Sequence, residues 1–301
     1  MPWLQLTLNA HKDSAEQYSD ALSECGAVSV TMQDAADQPL YEPAPGETPL
    51  WADIQLVGMF AADVDMDAVI ARLKQQLQTT TLPEYSISLL EDQDWERVWM
   101  DDFHAIQFAE HLWICPSWLT PPDPQATNIM LDPGLAFGSG THPTTAMCLQ
   151  WLGQHELQGK RVIDYGCGSG VLAIAAALLG ASEVWAIDID PQALQATREN
   201  AEKNHVSEKL QIGYPKDLPD SLADVVIANI VAGPLLELAP MLAEHTRTAG
   251  HVVLSGILEN QLPQIQDCYQ TWFMLDPPMQ QQEWCRLSGT RLAGHPGNVN
   301  Q

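Results

Sequence analysis

Residues 162–177, VIDYGCGSGVLAIAAA, predict a buried strand, a glycine-rich turn and a helix. Gly166, Gly168 and Gly170 allow the backbone to turn sharply and allow a ligand to approach it closely. Their spacing is GxGxG, which differs from the GxGxxG of dinucleotide-binding turns, and Asp164 stands two positions before the first glycine. The stretch therefore predicts the first strand-to-helix turn of a doubly wound α/β domain, with a ligand site at the turn.

A second carboxylate lies where the next strand ends. Asp188 comes 22 residues after Gly166, near the end of the predicted strand EVWAIDI (183–189). A carboxylate there can accept hydrogen bonds from ribose hydroxyls. Because the sulfonium of S-adenosylmethionine is cationic and brings no pyrophosphate, the two acidic residues favour this cofactor over NAD. An NAD-dependent oxidoreductase is the alternative that the glycine spacing disfavours.

Strands and helices alternate through the rest of residues 119–290. This order predicts a Rossmann-like α/β domain, with a mostly parallel, seven-stranded sheet covered by helices on both faces. The predicted strands are 161–166, 183–189, 209–214, 223–230 and 251–257, the helices about 170–179, 191–203, 233–246 and 259–268, and the last segments, 269–276 and 282–288, an antiparallel pair. Residues 291–301 are expected to form a flexible tail.

Residues 1–91 follow a different pattern, in which two βαβ halves predict a small α+β, ferredoxin-like domain. The predicted strands are 3–9, 27–34, 50–60 and 84–90, and the helices are 14–24, capped by Asp13-Ser14, and a second from Asp65 or Asp67 to Gln78. An acidic, proline-bearing loop spans 35–49.

Residues 92–118 form a connector. Trp95, Trp99 and Phe103 recur at helical spacing, which predicts a linker helix that packs its aromatic face between the domains. HLWICPSW, at the end of the connector, is expected to be a strand that opens the second domain.

The net charge is −26, from 39 acidic and 13 basic residues. Phosphate backbones repel such a chain, whereas a basic protein partner is attracted to it. Residues 1–110 hold 20 acidic and 4 basic residues, so the N-terminal part is the stronger candidate for meeting that partner. General solubility, or adaptation to a salty or cold habitat, is the other explanation.

Targeting and metal signals are missing from the sequence. No run of about 18 apolar residues predicts a membrane span, and the N-terminus lacks the pattern of a secretory signal. We therefore expect a cytoplasmic protein. The six cysteines form no CxxC pair, so no metal site is predicted.

Asn229 ends the predicted strand 223–230, and ligands of open α/β sheets bind beyond the carboxyl ends of the strands. Its amide can orient a nucleophilic nitrogen or contact the methionine part of a cofactor. The alternative is that Asn229 only caps the following helix.

LDPGLAFGSGTHPTTAMCL, residues 131–149, predicts a glycine-rich loop that leads into a helix. Thr144 and Thr145 offer hydroxyls and backbone amides to a polar ligand at the helix N-terminus. His142 is either a general base or a polar loop residue.

Four motifs, taken in chain order, resemble the PrmA family, the methyltransferases of ribosomal protein L-eleven: PGLAFGSGTHPTT, VIDYGCGSGVLAIAA, AIDIDPQAL and ANIVAGPL. The connector DWERVWMDDFHAI resembles the linker of that family. The resemblance covers nearly the whole chain. It implies that residues 1–91 recognise the ribosomal protein and that the second domain is a class I S-adenosylmethionine-dependent methyltransferase.

The resemblance also implies the reaction and its residues. The expected products are methylated lysine ε-amines and a methylated N-terminal α-amine, often in the trimethyl state. Thr145, Gly166, Asp188 and Asn229 match positions that contact the cofactor, Gly168 belongs to the same turn, and Asn229 is the candidate for orienting the amine. The partner is ribosomal protein L-eleven, with no direct contact to nucleic acid or membrane.

Two further alternatives come from other classes. A methyltransferase that acts on glutamine or on adenine in nucleic acid is disfavoured, because the ANIVAGP stretch lacks an aromatic residue to stack a flipped base. A cofactor-sensing scaffold without catalysis would bind the same ligand and show no turnover.

Overall fold

A computed structural model of the chain describes residues 2–35, 50–90, 103–132 and 142–293. The chain divides into two compact units, Met1–Asp101 and Asp102–Gln301. None of the helices in the described ranges combines the length and the apolar character needed to cross a membrane.

The first unit is an antiparallel sheet in the order β2-β3-β1-β4, with two helices. Its elements are β1 (Trp3–His11), α1 (Lys12–Glu24), β2 (Ser29–Asp34), β3 (Asp53–Ala61), α2 (Met66–Gln76) and β4 (Tyr85–Leu90). This is the predicted ferredoxin-like arrangement. The helices pack on the face of the sheet that carries the alternating apolar side chains, among them Leu6, Leu8, Ile54 and Leu56.

The predicted cap of α1 was wrong. His11 is the N-cap, and its Nδ1 accepts a hydrogen bond from the backbone N–H of Asp13, so Asp13 lies inside the first turn. The cap of α2 is Asp65, whose carboxylate accepts hydrogen bonds from the N–H groups of Asp67 and Ala68.

The main sheet of the second unit has the order β10-β9-β8-β11-β12-β15-β13, and β14 pairs with β15. Neighbouring strands from β10 to β12 are parallel, and β15 is antiparallel to β12, β13 and β14. Its strands are β8 (Arg161–Tyr165), β9 (Glu183–Ile187), β10 (Leu210–Gly213), β11 (Ala223–Asn229), β12 (Thr246–Leu258), β13 (Phe273–Leu275), β14 (Met279–Gln281) and β15 (Trp284–Arg291). The mostly parallel, Rossmann-like sheet is therefore confirmed.

In the described ranges, five α-helices accompany these strands; four follow the hydrophobic pattern, and α3 is the helix predicted after the glycine-rich loop. They are α3 (Pro143–Gln154), α4 (Val171–Leu178), α5 (Pro191–Lys203), α6 (Ala232–His245) and α7 (Leu262–Tyr269). α4 is buried along most of its length, since its alanine-rich sequence lets it pack closely against the sheet and its neighbours.

Some strands differ from the predictions. β5 (Ile106–Ala109), β6 (Leu112–Cys115) and β7 (Thr127–Met130) form a separate three-stranded sheet in the second unit. β6 is the strand predicted from HLWICPSW, whereas β5 and β7 were not predicted. β14 was not predicted, so the main sheet has eight strands in the described part of the chain, where seven were predicted. Arg291, assigned to the tail, is the last residue of β15, and its guanidinium donates to the carbonyl of Trp272.

The chain reverses its winding direction between β8 and β11. From β8 it proceeds outward to β9 and β10, and it then returns to form β11 and β12 on the other side of β8. Such a switch point opens a crevice at the carboxyl ends of the strands, which is where ligands bind in open α/β sheets.

Candidate functional site

The glycine-rich turn follows β8 at this switch point. Gly166, Gly168 and Gly170 have φ values of +77°, +54° and +79°, a region that residues with a Cβ seldom adopt. A Cβ on Gly166 would collide with Ile230, and a Cβ on Gly170 would lie 2.6 Å from Cγ2 of Thr197. Two of the glycines are thus required by the packing of the turn itself, in addition to any approach by a ligand.

Asp188 follows β9 and holds the turn in place. Its Oδ2 accepts a hydrogen bond from the N–H of Gly168 at 2.9 Å, and its Oδ1 accepts one from the N–H of Asp190 at 3.0 Å. Each carboxylate oxygen has two lone pairs, so both can accept a further donor. The half-buried carboxylate can therefore bind two adjacent hydroxyl groups while it fixes the turn.

Asp164 lies fully buried in β8, beneath the turn. Its Oδ2 accepts a hydrogen bond from the N–H of Ala173 at 3.0 Å, and this amide is in the first turn of α4. Because the N-cap residue of α4 is Gly170, which has no side chain, Asp164 supplies the oxygen that a capping side chain would otherwise provide.

The other oxygen of Asp164, Oδ1, is buried and has no hydrogen-bond partner in the described part of the chain. The pKa of Asp164 is raised to about 7; burial is the largest cause, the hydrogen bond from the Ala173 N–H partly opposes it, and the nearby Asp188 adds to the rise. A cation bound close to the turn would stabilise the charged form of this carboxyl.

Asn229, the last residue of β11, contacts α3. Its Nδ2 donates a hydrogen bond to Oγ1 of the buried Thr145 at 3.2 Å, while its own Oδ1 is buried and has no partner among the described residues. The alternative role as a helix cap was wrong, because α6 begins at Ala232 and its N-cap residue is Val231. The Thr145 hydroxyl fixes the amide so that an acceptor oxygen is left for a ligand.

His142 is the N-cap of α3. Its Nδ1 lies 2.7 Å from Oγ1 of Thr144 and accepts a hydrogen bond from the Thr144 N–H at 3.4 Å. Burial lowers the pKa of His142, although Glu283 partly offsets this, and its ring packs edge-on against Trp284. With Nδ1 accepting, the neutral ring carries its proton on Nε2, so the geometry favours a structural cap over a general base.

Two further side chains that sequence reasoning missed hold the turn. Oγ1 of Thr197 donates to the carbonyl of Gly168 at 3.0 Å, and Nδ2 of Asn200 donates to the carbonyl of Ser169 at 2.9 Å. Both come from α5. Their spacing of three residues on one helix face was the available signal.

The predicted residues thus meet in two pairs at the carboxyl ends of neighbouring strands. Gly168 joins Asp188, and Thr145 joins Asn229, whereas Gly166 packs against Ile230, the residue that follows Asn229. Residues 133–141 of the predicted glycine-rich loop, residues 36–49 of the acidic loop, and Trp95 and Trp99 lie outside the described residues.

The acceptor oxygens around the turn fit a cationic ligand that carries a ribose. In the described part of the chain, one buried oxygen of Asp164 and one of Asn229 have no hydrogen-bond partner, and a donor or a positive charge would stabilise them. The carboxylate of Asp188 can accept hydrogen bonds from hydroxyl groups. Within the described ranges, no group of three or more His, Cys, Asp or Glu residues is arranged to hold a metal ion.

A family model and the most similar relatives carry the same description. A family model described as ribosomal protein L11 methyltransferase (PrmA) matches residues 2–292. The chain is 56% identical over 292 residues to the ribosomal protein L11 methyltransferase of Serratia proteamaculans (strain 568), covering 97% of this chain and 100% of that protein. It is 53% identical over 299 residues to the protein of the same name from Marinobacter nauticus, covering 98% and 100%.

A solved structure agrees with the fold. The ribosomal protein L11 methylase of Lactobacillus delbrueckii subsp. bulgaricus superposes with a TM-score of 0.57 at 37% identity, covering 63% of this chain and 100% of that one.

Proposed function

Because the chain belongs to the family of ribosomal protein L11 methyltransferases (PrmA), we propose that it transfers methyl groups from S-adenosylmethionine to ribosomal protein L11. The acceptors are lysine ε-amines and the N-terminal α-amine, and the product is the trimethylated form. The observation that carries the proposal is the family match over residues 2–292, which includes both units and every candidate site residue.

The cofactor is held by the residues around the glycine turn. When bound, S-adenosylmethionine supplies an electrophilic methyl group on a cationic sulfur. Asp188 accepts hydrogen bonds from the ribose hydroxyls, and Gly166 and Gly168 let the cofactor approach the turn closely. Thr145 contacts the cofactor from the start of α3. The buried acceptor oxygens without partners support this assignment.

Asn229 orients the attacking amine. Its Oδ1 accepts a hydrogen bond from a neutral amine, and the bond from Nδ2 to Thr145 stops the amide from rotating away. Methyl transfer requires in-line alignment, and well-held reactants can gain about 7–11 kcal/mol from proximity and orientation. Asn229 therefore acts by holding the nitrogen lone pair toward the methyl group.

The amine must lose a proton before it attacks. A lysine has an ordinary pKa of about 10.4, and burial beside a cationic cofactor lowers the pKa. Loss of the proton to water then needs no dedicated base, which agrees with the role of His142 as a helix cap. Repeated methylation needs space for the amine to turn between transfers.

The first unit recognises the protein substrate. Residues 1–110 hold 20 of the 39 acidic residues and only 4 basic ones, and a protein that binds ribosomal RNA is rich in Lys and Arg. Opposite charges accelerate the encounter of the two proteins.

Peptide mapping of L11 after reaction tests the acceptor assignment. Purified L11 is incubated with the enzyme and S-adenosylmethionine, digested, and analysed by mass spectrometry. We expect trimethylated lysines and a methylated N-terminal amine, with no methylation in reactions that contain S-adenosylhomocysteine alone. Methyl groups found only on glutamine or other side chains would overturn the assignment of amines as acceptors.

A further inference from the structure

The edge strand β4 of the first unit is more exposed than the other edge of the same sheet. Tyr85, Ile87 and Leu89 are 43%, 41% and 56% exposed, although register pairs them with Leu8, Leu6 and Leu4 on the face that the helices cover. The corresponding residues of the opposite edge strand β2, Val30 and Met32, are half-buried and pack against the core. The helical layer of the described unit therefore ends before it reaches β4.

The strand also presents an open edge. β4 pairs with β1 on one side, and in the described part of the unit it is the last strand of the sheet. Natural edge strands are commonly protected by lysine, proline or a bulge, because their free backbone groups attract other strands. Residues 85–90, YSISLL, contain no charged residue and no proline. We call Tyr85, Ile87, Leu89 and this free edge the β4 ledge.

One carboxylate directly precedes the β4 ledge, and others lie beyond its far end, two strands away in the sheet. Glu84 is exposed and directly precedes Tyr85. At the other end, Leu90 is in register with Trp3, and Trp3 with Ala61 of β3. Three exposed acidic residues follow Ala61 within one turn and the start of α2: Asp63, Asp65 and Asp67.

We propose that the β4 ledge binds an extended segment of the basic protein substrate as an added β-strand, with Lys or Arg residues flanking alternating apolar side chains. The proposal rests on the proposed function for the identity of the substrate. A strand satisfies the free backbone groups of the edge, which a helix laid on the same residues would leave unpaired. A second copy of this chain is disfavoured, because it would bring acidic residues against Glu84 and the Asp63–Asp67 segment.

Lysine substitutions on the ledge test the proposal in the full chain. The double variant Ile87→Lys/Leu89→Lys introduces the protection that natural edges use, at exposed positions where folding is preserved. Thr31→Lys/Gln33→Lys is the matched control, because it makes the same change of charge at exposed positions on the opposite edge. Binding of unmodified L11 is measured by calorimetry, and the kinetics of its methylation are measured in parallel.

We expect the ledge variant to bind L11 about tenfold more weakly or worse, with KM raised and kcat at saturation unchanged. The control should stay close to the wild type, and both variants should bind S-adenosylhomocysteine normally. Wild-type binding by the ledge variant, or an equal loss in the control, would overturn the ledge while leaving L11 methylation intact. A wild-type protein that neither binds nor methylates L11 would overturn both proposals.

Hydrogen exchange adds a structural readout. Because β1 already pairs alternate amides of β4, the readout is the amides that point to the free edge; these should exchange rapidly in the free protein and slow down when L11 is added. Protection of these outward amides in the free chain, or a concentration-dependent dimer that the ledge variant abolishes, would show that another segment or a second copy covers β4, and would refute the proposal.

Discussion

Asn229 is the residue on which the proposed transfer step depends most directly. Asn229→Ala removes the unpartnered Oδ1 but leaves the glycine turn and Asp188 unchanged. We expect turnover of L11 to fall by roughly 10²-fold, because a small misplacement of reacting atoms has effects of that size. Cofactor affinity should change much less. Single-turnover kinetics and calorimetry on the same variant measure the two quantities.

Thr145→Val is the companion variant for Asn229. It keeps the shape of a buried side chain and removes only the hydroxyl that fixes the amide. We expect a smaller fall in turnover, and non-additive effects in the double variant, since the two residues act through one hydrogen bond. Unchanged turnover of Asn229→Ala at an unchanged melting temperature would remove Asn229 from the proposed mechanism.

Asp164 makes the stability of the protein depend on pH. Burial raises its pKa from 3.8 to about 7, so the native state holds the proton more tightly than the unfolded chain does. Its contribution to stability is therefore fully present below about pH 4 and is lost as pH rises towards 7. Two neighbouring thiols, Cys148 and Cys167, also have pKa values raised by burial and stay neutral across this range.

Asp164→Asn tests this linkage, because the amide cannot ionise and can still accept from the Ala173 N–H. We expect the melting temperature of the variant, relative to the wild type, to rise between about pH 4 and pH 7. In the wild type, affinity for the cationic S-adenosylmethionine should also increase with pH more than affinity for neutral S-adenosylhomocysteine. A melting difference that does not change with pH would contradict the buried, proton-binding carboxyl.

Individual site residues were predictable where a local motif carries them. Gly168 and Asp188 follow from the spacing of a turn and the end of the next strand, and the structure joins them by a hydrogen bond. The bonds from Thr197 and Asn200 to the turn depend on where α5 packs in three dimensions. The spacing of the two residues places them on one helix face, but it does not show which part of the chain that face meets.

At the scale of elements, the glycine turn is the feature whose backbone is most constrained. Alanine substitutions at three glycines separate the two reasons why a side chain is excluded, the positive φ and the steric collision. Gly166 combines a positive φ with a steric collision, Gly159 has a positive φ of +73° in open space, and Gly233 has open space without a positive φ.

We expect Gly166→Ala to destabilise the protein by about 2–5 kcal/mol and to abolish cofactor binding. Gly159→Ala should destabilise it by about 1–2 kcal/mol, and Gly233→Ala, inside α6, should be neutral or stabilise it by up to about 1 kcal/mol. Chemical denaturation gives the three values. Equal stabilities for Gly166→Ala and Gly233→Ala would show that the turn tolerates a side chain.

Elements were predicted best where the hydrophobic pattern is long. β8 and α4 have nearly continuous apolar sequences, and both lie in the core as expected. β5, β7 and β14, which were not predicted, contain three or four residues each, which is too short for a periodic pattern to appear. The start of α1 was misplaced because a histidine, which is not a preferred capping residue, occupies the N-cap.

At the scale of the whole molecule, a net charge of −26 predicts an encounter with the basic substrate that depends on ionic strength. Raising ionic strength from about 0.05 to 0.5 M shortens the Debye length to a few ångströms and screens the attraction. We expect KM for L11 to rise several-fold, while binding of S-adenosylhomocysteine, which is neutral at its sulfur, changes little. A KM that is insensitive to salt would limit the role of the acidic residues to solubility.

The measurement that tests the central claim most directly is the transfer of labelled methyl groups to purified L11. Wild-type enzyme and Asp188→Ala are each incubated with labelled S-adenosylmethionine, L11 and, in a separate reaction, ribosomal RNA. The account predicts that label enters L11 with release of one S-adenosylhomocysteine per methyl group, that RNA stays unlabelled, and that Asp188→Ala loses most of the activity because cofactor binding fails. Label in RNA but not in L11, or no transfer by a folded wild-type enzyme that binds the cofactor, would contradict it.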